Sequence, residues 1–145
     1  MSRFVLFSVM ATLLYSGNLF AQKADWDSTY RPDIYHPRVE MFNSFSQSAE
    51  DIVFLGNSIT FWADWQEALE NRKFKNRGIP GDTSFGVLER LTDVTKGRPA
   101  QVFLMIGIND LARNVPQEKL IQNIEQIIIQ IKRESSGTQI FVQSI

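Results

Sequence analysis

The run Ile52-Val53-Phe54-Leu55 passes without a polar residue into Gly56-Asn57-Ser58. A short, unbroken apolar run closed by a turn signal reads as a strand buried on both faces. Downstream, Phe61, Trp62, Trp65, Ala68 and Leu69 recur at helical spacing, which predicts one helix over 59–69. Ser58 then falls where a central strand ends and a helix begins, the edge of an open α/β sheet at which ligands bind. Unpaired backbone N–H groups and the positive end of a helix dipole gather at such a position. Taken alone, a Gly-x-Ser turn is more often only a turn.

The pattern repeats along the chain. Phe74 to Arg77 reads as a second strand, and the stretch from Gly78 through Gly81 to Ser84 as a loop. A helix is expected over 85–91, with Thr83 or Ser84 as its N-cap. Gln101 to Ile106 is a further apolar strand, ending at Gly107-Ile108-Asn109-Asp110. Pro116 suits the first position of a helix, with Glu118 in its first turn. Leu120, Ile121, Ile124, Ile127, Ile128 and Ile131 give that helix one apolar stripe, with Lys132 and Arg133 near its end. After Ser135-Ser136-Gly137, residues 139–144 read as another strand. Alternating strands and helices, without internal repeats, argue a parallel sheet with helices on both faces. The loops after the first three strands then share one sheet edge, and they present Ser58, Gly81 and Asn109.

Composition narrows the classes of function. With 145 residues, 43% hydrophobic and a formal net charge of -1, the chain can bury one core and has no basic excess to suit nucleic acid. It has no cysteine, which excludes disulfides, a thiol nucleophile and thiolate metal sites. His36 is the only histidine, so a multi-histidine metal site is excluded and no cofactor is indicated. At the N-terminus, Arg3 precedes an apolar segment over 4–14 and a short stretch ending at Ala21. That layout predicts a signal peptide over 1–21 and export to the periplasm or medium. The apolar segment is shorter than the roughly 20 residues a spanning helix needs, so no stable membrane anchor is expected. Residues 22–50 read as an extended arm laid over the domain, with Trp26, Tyr30 and Tyr35 in it, then a lead-in helix over 38–46.

Acyl transfer needs a serine able to attack a carbonyl and two or three preorganised donors for the developing oxyanion. The backbone N–H groups of Ser58 and Gly81 and the Asn109 amide are suitable donors, and a glycine lets substrate approach its N–H closely. Gly56-Asn57-Ser58-Ile59-Thr60, Gly78-Ile79-Pro80-Gly81-Asp82-Thr83 continuing to Leu88-Glu89-Arg90-Leu91, and Gly107-Ile108-Asn109-Asp110 resemble three ordered blocks of the SGNH/GDSL hydrolase superfamily of esterases and acylhydrolases. The resemblance spans about residues 51–145, and the blocks look closest to platelet-activating-factor acetylhydrolase-like bacterial members. It implies a flavodoxin-like three-layer α/β/α sandwich. It also implies Ser58 as nucleophile and Ser58, Gly81 and Asn109 as oxyanion hole, with no metal or cofactor. The substrate it suggests is a small-molecule acyl ester, favoured as an acetyl ester and among these as an O-acetylated carbohydrate. A lysophospholipase or thioesterase and a non-catalytic binding module stand as alternatives.

Two departures qualify the match. Asn57 stands where the family more often has Asp, at a position that is not the base. The family's C-terminal Asp-x-x-His block, source of the general base and its orienting acid, does not occur before Ile145. The sandwich is therefore expected to be incomplete on its C-terminal side, the isolated chain poorly active, and the strand at 139–144 left as an apolar edge. His36 is favoured as a locally bonded arm histidine over a substitute base. Trp62 and Trp65 are expected to pack their helix onto the sheet, and Asp82, Arg90 and Asp110 to fix loop shape. The basic run of Arg72, Lys73, Lys75 and Arg77 is expected to be the solvated surround of a short strand, with an anion-binding patch as the lesser reading.

Overall fold

Four short segments pair into one parallel sheet, in the spatial order second, first, third, fourth. The computed structural model describes residues 26–144; the expected signal peptide, the start of the arm and Ile145 lie outside them. In chain order the elements are α1 (Tyr35–Ser44), β1 (Ile52–Gly56), α2 (Ser58–Phe61), α3 (Trp65–Ala68) and β2 (Phe74–Gly78). They continue with α4 (Ser84–Glu89), α5 (Thr92–Thr95), β3 (Gln101–Met105), α6 (Ile108–Ala112), α7 (Gln117–Glu134) and β4 (Gln139–Val142). The order β2-β1-β3-β4 is that of a flavodoxin-like sheet, in which β1 and β3 are central.

Side chains alternate across the sheet and divide the core. Val53, Leu55, Val102 and Leu104 face Val87, Leu91 and Val94 of α4–α5 and Ile127 and Ile131 of α7. On the other face Phe54 stacks on Trp65 of α3, with ring centroids 3.9 Å apart. Phe54, Phe103 and Phe141 occupy one register line, the rings 5.1 and 4.7 Å apart in turn. Helices thus cover both faces of a parallel sheet, as the alternating pattern requires. β4 lies at the sheet margin with Phe141 and Val142 exposed, the apolar edge that the sequence foreshadowed.

Several element boundaries differ from expectation, each for a local reason. The helix expected over 59–69 is two short ones, because Asp64 accepts the Glu67 N–H at 3.2 Å and starts a new turn. The arm is not extended throughout: α1 already contains Tyr35, His36 and Pro37, and proline is tolerated in a first helical turn, whose N–H groups have no partner within the helix. The helix expected over 85–91 ends at Glu89 and is followed by the separate turn α5. Pro116 is the N-cap of α7 and not its first residue. Within α7, Ile121 is 48% exposed, while Asn123 is buried and donates to Ser84 Oγ at 2.8 Å. The last strand stops at Val142, two residues short of expectation.

Candidate active site

β1 delivers Ser58 through a turn that leaves no spare room. A Cβ on Gly56 would lie 2.3 Å from Met105 O and 2.4 Å from Thr60 Oγ1, so only glycine lets β1 and β3 end this closely. Asn57 caps α2, its Oδ1 accepting the Ile59 N–H at 3.0 Å and its carbonyl the Phe61 N–H at 2.9 Å. Ser58 is the first residue of α2 and is half-buried. Because α2 is one turn long, its macrodipole is weak, and the Ile59 N–H of its first turn is already taken by Asn57.

The second loop leaves β2 opposite the first. Gly56 pairs with Gly78, and the Ile79 N–H donates to Gly56 O at 3.0 Å. Gly81 has φ 78°, the left-handed region that a side chain disfavours. Asp82 then turns inward to Arg90, which is 2% exposed. Arg90 Nε donates to Asp82 Oδ2 at 3.0 Å and Nη1 to Asp93 Oδ2 at 3.2 Å. Its Nη2 donates to Arg77 O at 2.9 Å and Gly56 O at 3.3 Å. One guanidinium thus ties the ends of β1 and β2 to the Gly81 loop. Burial pushes Asp82 up to about 6, although Arg90 pulls it back. Burial likewise opposes the charge of Arg90, but Asp82 and Asp93 more than offset it and keep the guanidinium protonated.

The third loop is braced against the second. Asn109, the second residue of α6, is half-buried and donates from Nδ2 to Asp82 O at 2.8 Å. The next residue, Asp110, is buried and caps α4: its carboxylate accepts the Ser84 N–H at 3.0 and 3.1 Å and the Ser84 hydroxyl at 2.5 Å. Asn123 completes that network from α7. Burial raises the pKa of Asp110, and the bonds from Ser84 hold it down in part. Asp82, Arg90 and Asp110 therefore make the loop-shaping bonds expected of them.

This geometry has known counterparts. A model of the GDSL-like lipase/acylhydrolase family matches residues 54–145. The chain belongs to that family. Among solved structures, a candidate platelet activating factor from Streptococcus pneumoniae is 31% identical with a TM-score of 0.67, over 77% of this chain and 53% of that one. A GDSL-like lipase from Bacteroides thetaiotaomicron is 26% identical with a TM-score of 0.62, over 74% of this chain and 56% of that one. A candidate acylhydrolase from Bacteroides fragilis shares the fold, with a TM-score of 0.64 at 24% identity over 77% of this chain and 58% of that one. The chain thus spans just over half the length of these structures. No curated protein matches it at a significant level.

Around the GDSL-type loops lie residues whose positions the sequence concealed. The arm passes over Gly81: a Cβ there would meet Pro32 Cβ at 3.3 Å and the Tyr30 hydroxyl at 3.5 Å. Arg113, just after α6, sits over the Tyr30 ring at 3.2 Å, and Trp26 stacks on Phe85 at 5.6 Å. Aromatic residues in a polar arm were the only hint of this. Asn123, the one polar side chain turned into the α7 stripe, was missed for want of any signal beyond its spacing from Leu120. His36 is exposed, edge-on to Tyr35 at 5.2 Å; among the described residues neither its ring nor Ser58 Oγ has a hydrogen-bond partner. Trp65 packs as expected and donates from Nε1 to Thr60 O at 3.0 Å. Trp62 does not, being 78% exposed. Among the described residues no group of three or more acidic or histidine side chains could hold a metal ion.

Proposed function

We propose that this GDSL-family chain carries the nucleophile and oxyanion hole of an exported serine esterase acting on small acyl esters. Acetyl esters are the favoured substrates, and among these O-acetylated carbohydrates. Ser58 Oγ attacks the ester carbonyl, and the oxyanion accepts hydrogen bonds from the N–H groups of Ser58 and Gly81 and from Asn109 Nδ2. The observation that carries this reading is the bond from Asn109 Nδ2 to Asp82 O at 2.8 Å. It occupies one amide hydrogen, fixes the amide plane beside Gly81 and leaves the second hydrogen for a ligand. Export rests on the N-terminal sequence pattern over 1–21. The base in this reading is the Asp-x-x-His pair implied by the family resemblance, since His36 makes no hydrogen bond to Ser58. Where a triad member is lost, the oxyanion hole and binding alone retain roughly 10³–10⁴ over water in well-studied serine hydrolases.

Hydrolysis of p-nitrophenyl acetate, read beside labelling by a fluorophosphonate, tests the assignment. Ser58→Ala should abolish labelling and reduce turnover to the residual level that the oxyanion hole alone supports, while turnover at the wild-type rate in that variant refutes the nucleophile. Rates should fall from the acetyl to the octanoyl ester. The opposite order would favour the lysophospholipase type of acylhydrolase.

A further inference from the structure

The basic run leading into β2 does not end as a solvated surround. Arg77 is 3% exposed, and Lys75 lies two residues before it on the same strand face. Arg38 of α1 meets them across an open pocket of about 570 Å³ between α1 and the outer edge of β2. Arg38, Lys75 and Arg77 line this pocket, together with Phe42 and Phe45, and no carboxylate is among its lining residues.

The two guanidinium groups are held by rings and left short of acceptors. Arg77 lies over Phe42 at 4.8 Å and Phe45 at 5.7 Å, and its Nη1 donates to Asn76 O at 3.2 Å. Arg38 lies over Phe42 at 4.6 Å and Phe61 at 4.8 Å, and its Nη1 reaches only Met41 Sδ at 3.8 Å. The Nε of each is buried without a hydrogen-bond partner. Neither guanidinium is bonded to a carboxylate: Asp93 gives Oδ2 to Arg90 and its Oδ1 has no partner, and Asp51 accepts the Ser48 N–H and faces Lys75. A buried donor without an acceptor is costly, and a buried cation without a bonded counter-charge more so. Burial indeed pushes both arginines below their ordinary pKa. Guanidinium forks match the oxygens of carboxylates and phosphates, so a ligand of that chemistry would satisfy what the fold leaves open.

We propose that this pocket binds a small oxyanion, the phosphate or carboxylate group of a ligand, held between Arg38 and Arg77 with Lys75 beside them. The site is separate from the ester chemistry and does not depend on the role of Ser58. A competing account, a water bridging Arg77 Nε to the unpartnered Asp93 Oδ1, predicts no response to anions.

The test is thermal unfolding of the protein titrated with sodium phosphate or sodium acetate, each against sodium chloride at equal ionic strength. A saturable rise in Tm beyond the chloride control supports the site. Saturation by phosphate alone assigns it to phosphate groups, and saturation by acetate alone to carboxylates. Arg38→Gln, at a half-buried position, should raise the half-saturating concentration about tenfold or more, as loss of one charge-assisted hydrogen bond requires. Lys75→Gln should raise it less. Arg133→Gln, on a side chain 72% exposed at the far end of α7, should leave it unchanged. No saturable difference from chloride in either arm, or an unchanged midpoint in Arg38→Gln with wild-type circular dichroism, overturns the proposal.

Discussion

Replacing Arg90 by Met would test whether the loops of the candidate site are held by one buried cation. Methionine fills a similar length and offers no donor. The variant strands Asp82 and Asp93, both almost wholly buried, and removes the donor at 2.9 Å from Arg77 O. Gly56 O is affected less, because the Ile79 N–H also reaches it at 3.0 Å. Breaking a buried ion pair from one side costs about 3–5 kcal/mol, and an orphaned carbonyl adds about 1–3. The carboxylates limit the loss by taking up protons, a response already begun in Asp82 at about 6. We therefore expect a loss of about 4 kcal/mol at pH 7, a large share of the ~5–15 kcal/mol typical of a domain. Urea unfolding followed by far-UV circular dichroism reads it. Two further results follow from the same argument. The single variant should recover stability as pH falls from about 7 to about 5 and its stranded carboxylates are neutralised. Arg90→Met combined with Asp82→Asn and Asp93→Asn should regain at least half the loss, since a neutral replacement of a buried ion cluster is often tolerated. A cost below about 1 kcal/mol, or a triple variant no more stable than the single one, would refute the reasoning.

Three other outcomes are expected. Because the folded pKa of Asp82, about 6, lies above its ordinary 3.8, the folded state keeps a proton that the unfolded chain has released. Its contribution is full below about pH 4 and is lost as pH rises through about 6, so wild-type stability measured against Asp82→Asn should fall across that window by up to about 3 kcal/mol; a rise there contradicts the assignment. Gly56→Ala should cost more than about 2 kcal/mol in urea midpoint analysis, because the new Cβ meets the Met105 carbonyl at 2.3 Å and backbone cannot move aside as a side chain can. Asn109→Ala should lower kcat for p-nitrophenyl acetate by about 10²–10³ with little change in KM, the pattern of a lost oxyanion donor, and an unchanged kcat excludes that role.

The legible parts of the fold were those fixed by short-range pattern. Ile52 to Leu55 and Val102 to Leu104 are strands with one face fully buried and the other covered in part by stacked aromatic rings, and Gly56 ends the first while Gly107 follows the second. Parallel pairing then sent the three loops that carry Ser58, Gly81 and Asn109 to one edge of the sheet, as the alternation of strands and helices predicts. The misreadings arose where a polar side chain competed with periodicity. Asp64 broke a helix that Trp62, Trp65 and Leu69 seemed to continue, and Asn123 took a core position that spacing had assigned to Ile121. Arg77 reads as a solvated cation, but Phe42 of α1 and Phe45 just after it cover it, a contact between segments more than thirty residues apart. Such long-range partners leave no local trace. That the arm lies over the domain is legible in its aromatic residues, but its contact point at Gly81 is not, for the same reason.

The bracing of the site also bears on how its chemistry is divided. Asn109 is held by Asp82 O, Asp82 by Arg90, and Arg90 by the carbonyl ends of β1 and β2. Asp110 and Ser84 fasten the same two loops from the other side, with Asn123 of α7 behind them. Each of these anchors is buried, and none of their bonds involves Ser58 Oγ. The donors proposed for the oxyanion are therefore fixed by the sheet and its buried polar groups, independently of whatever deprotonates the serine. Electrostatic preorganisation of that kind costs no rearrangement as charge develops. It follows that changes to the bracing and changes to the base should be separable: Arg90→Met should lower stability and alter the response of the site to oxyanion mimics, whereas Ser58→Ala should reduce turnover to the residual level and leave the unfolding midpoint within about 0.5 kcal/mol of wild type.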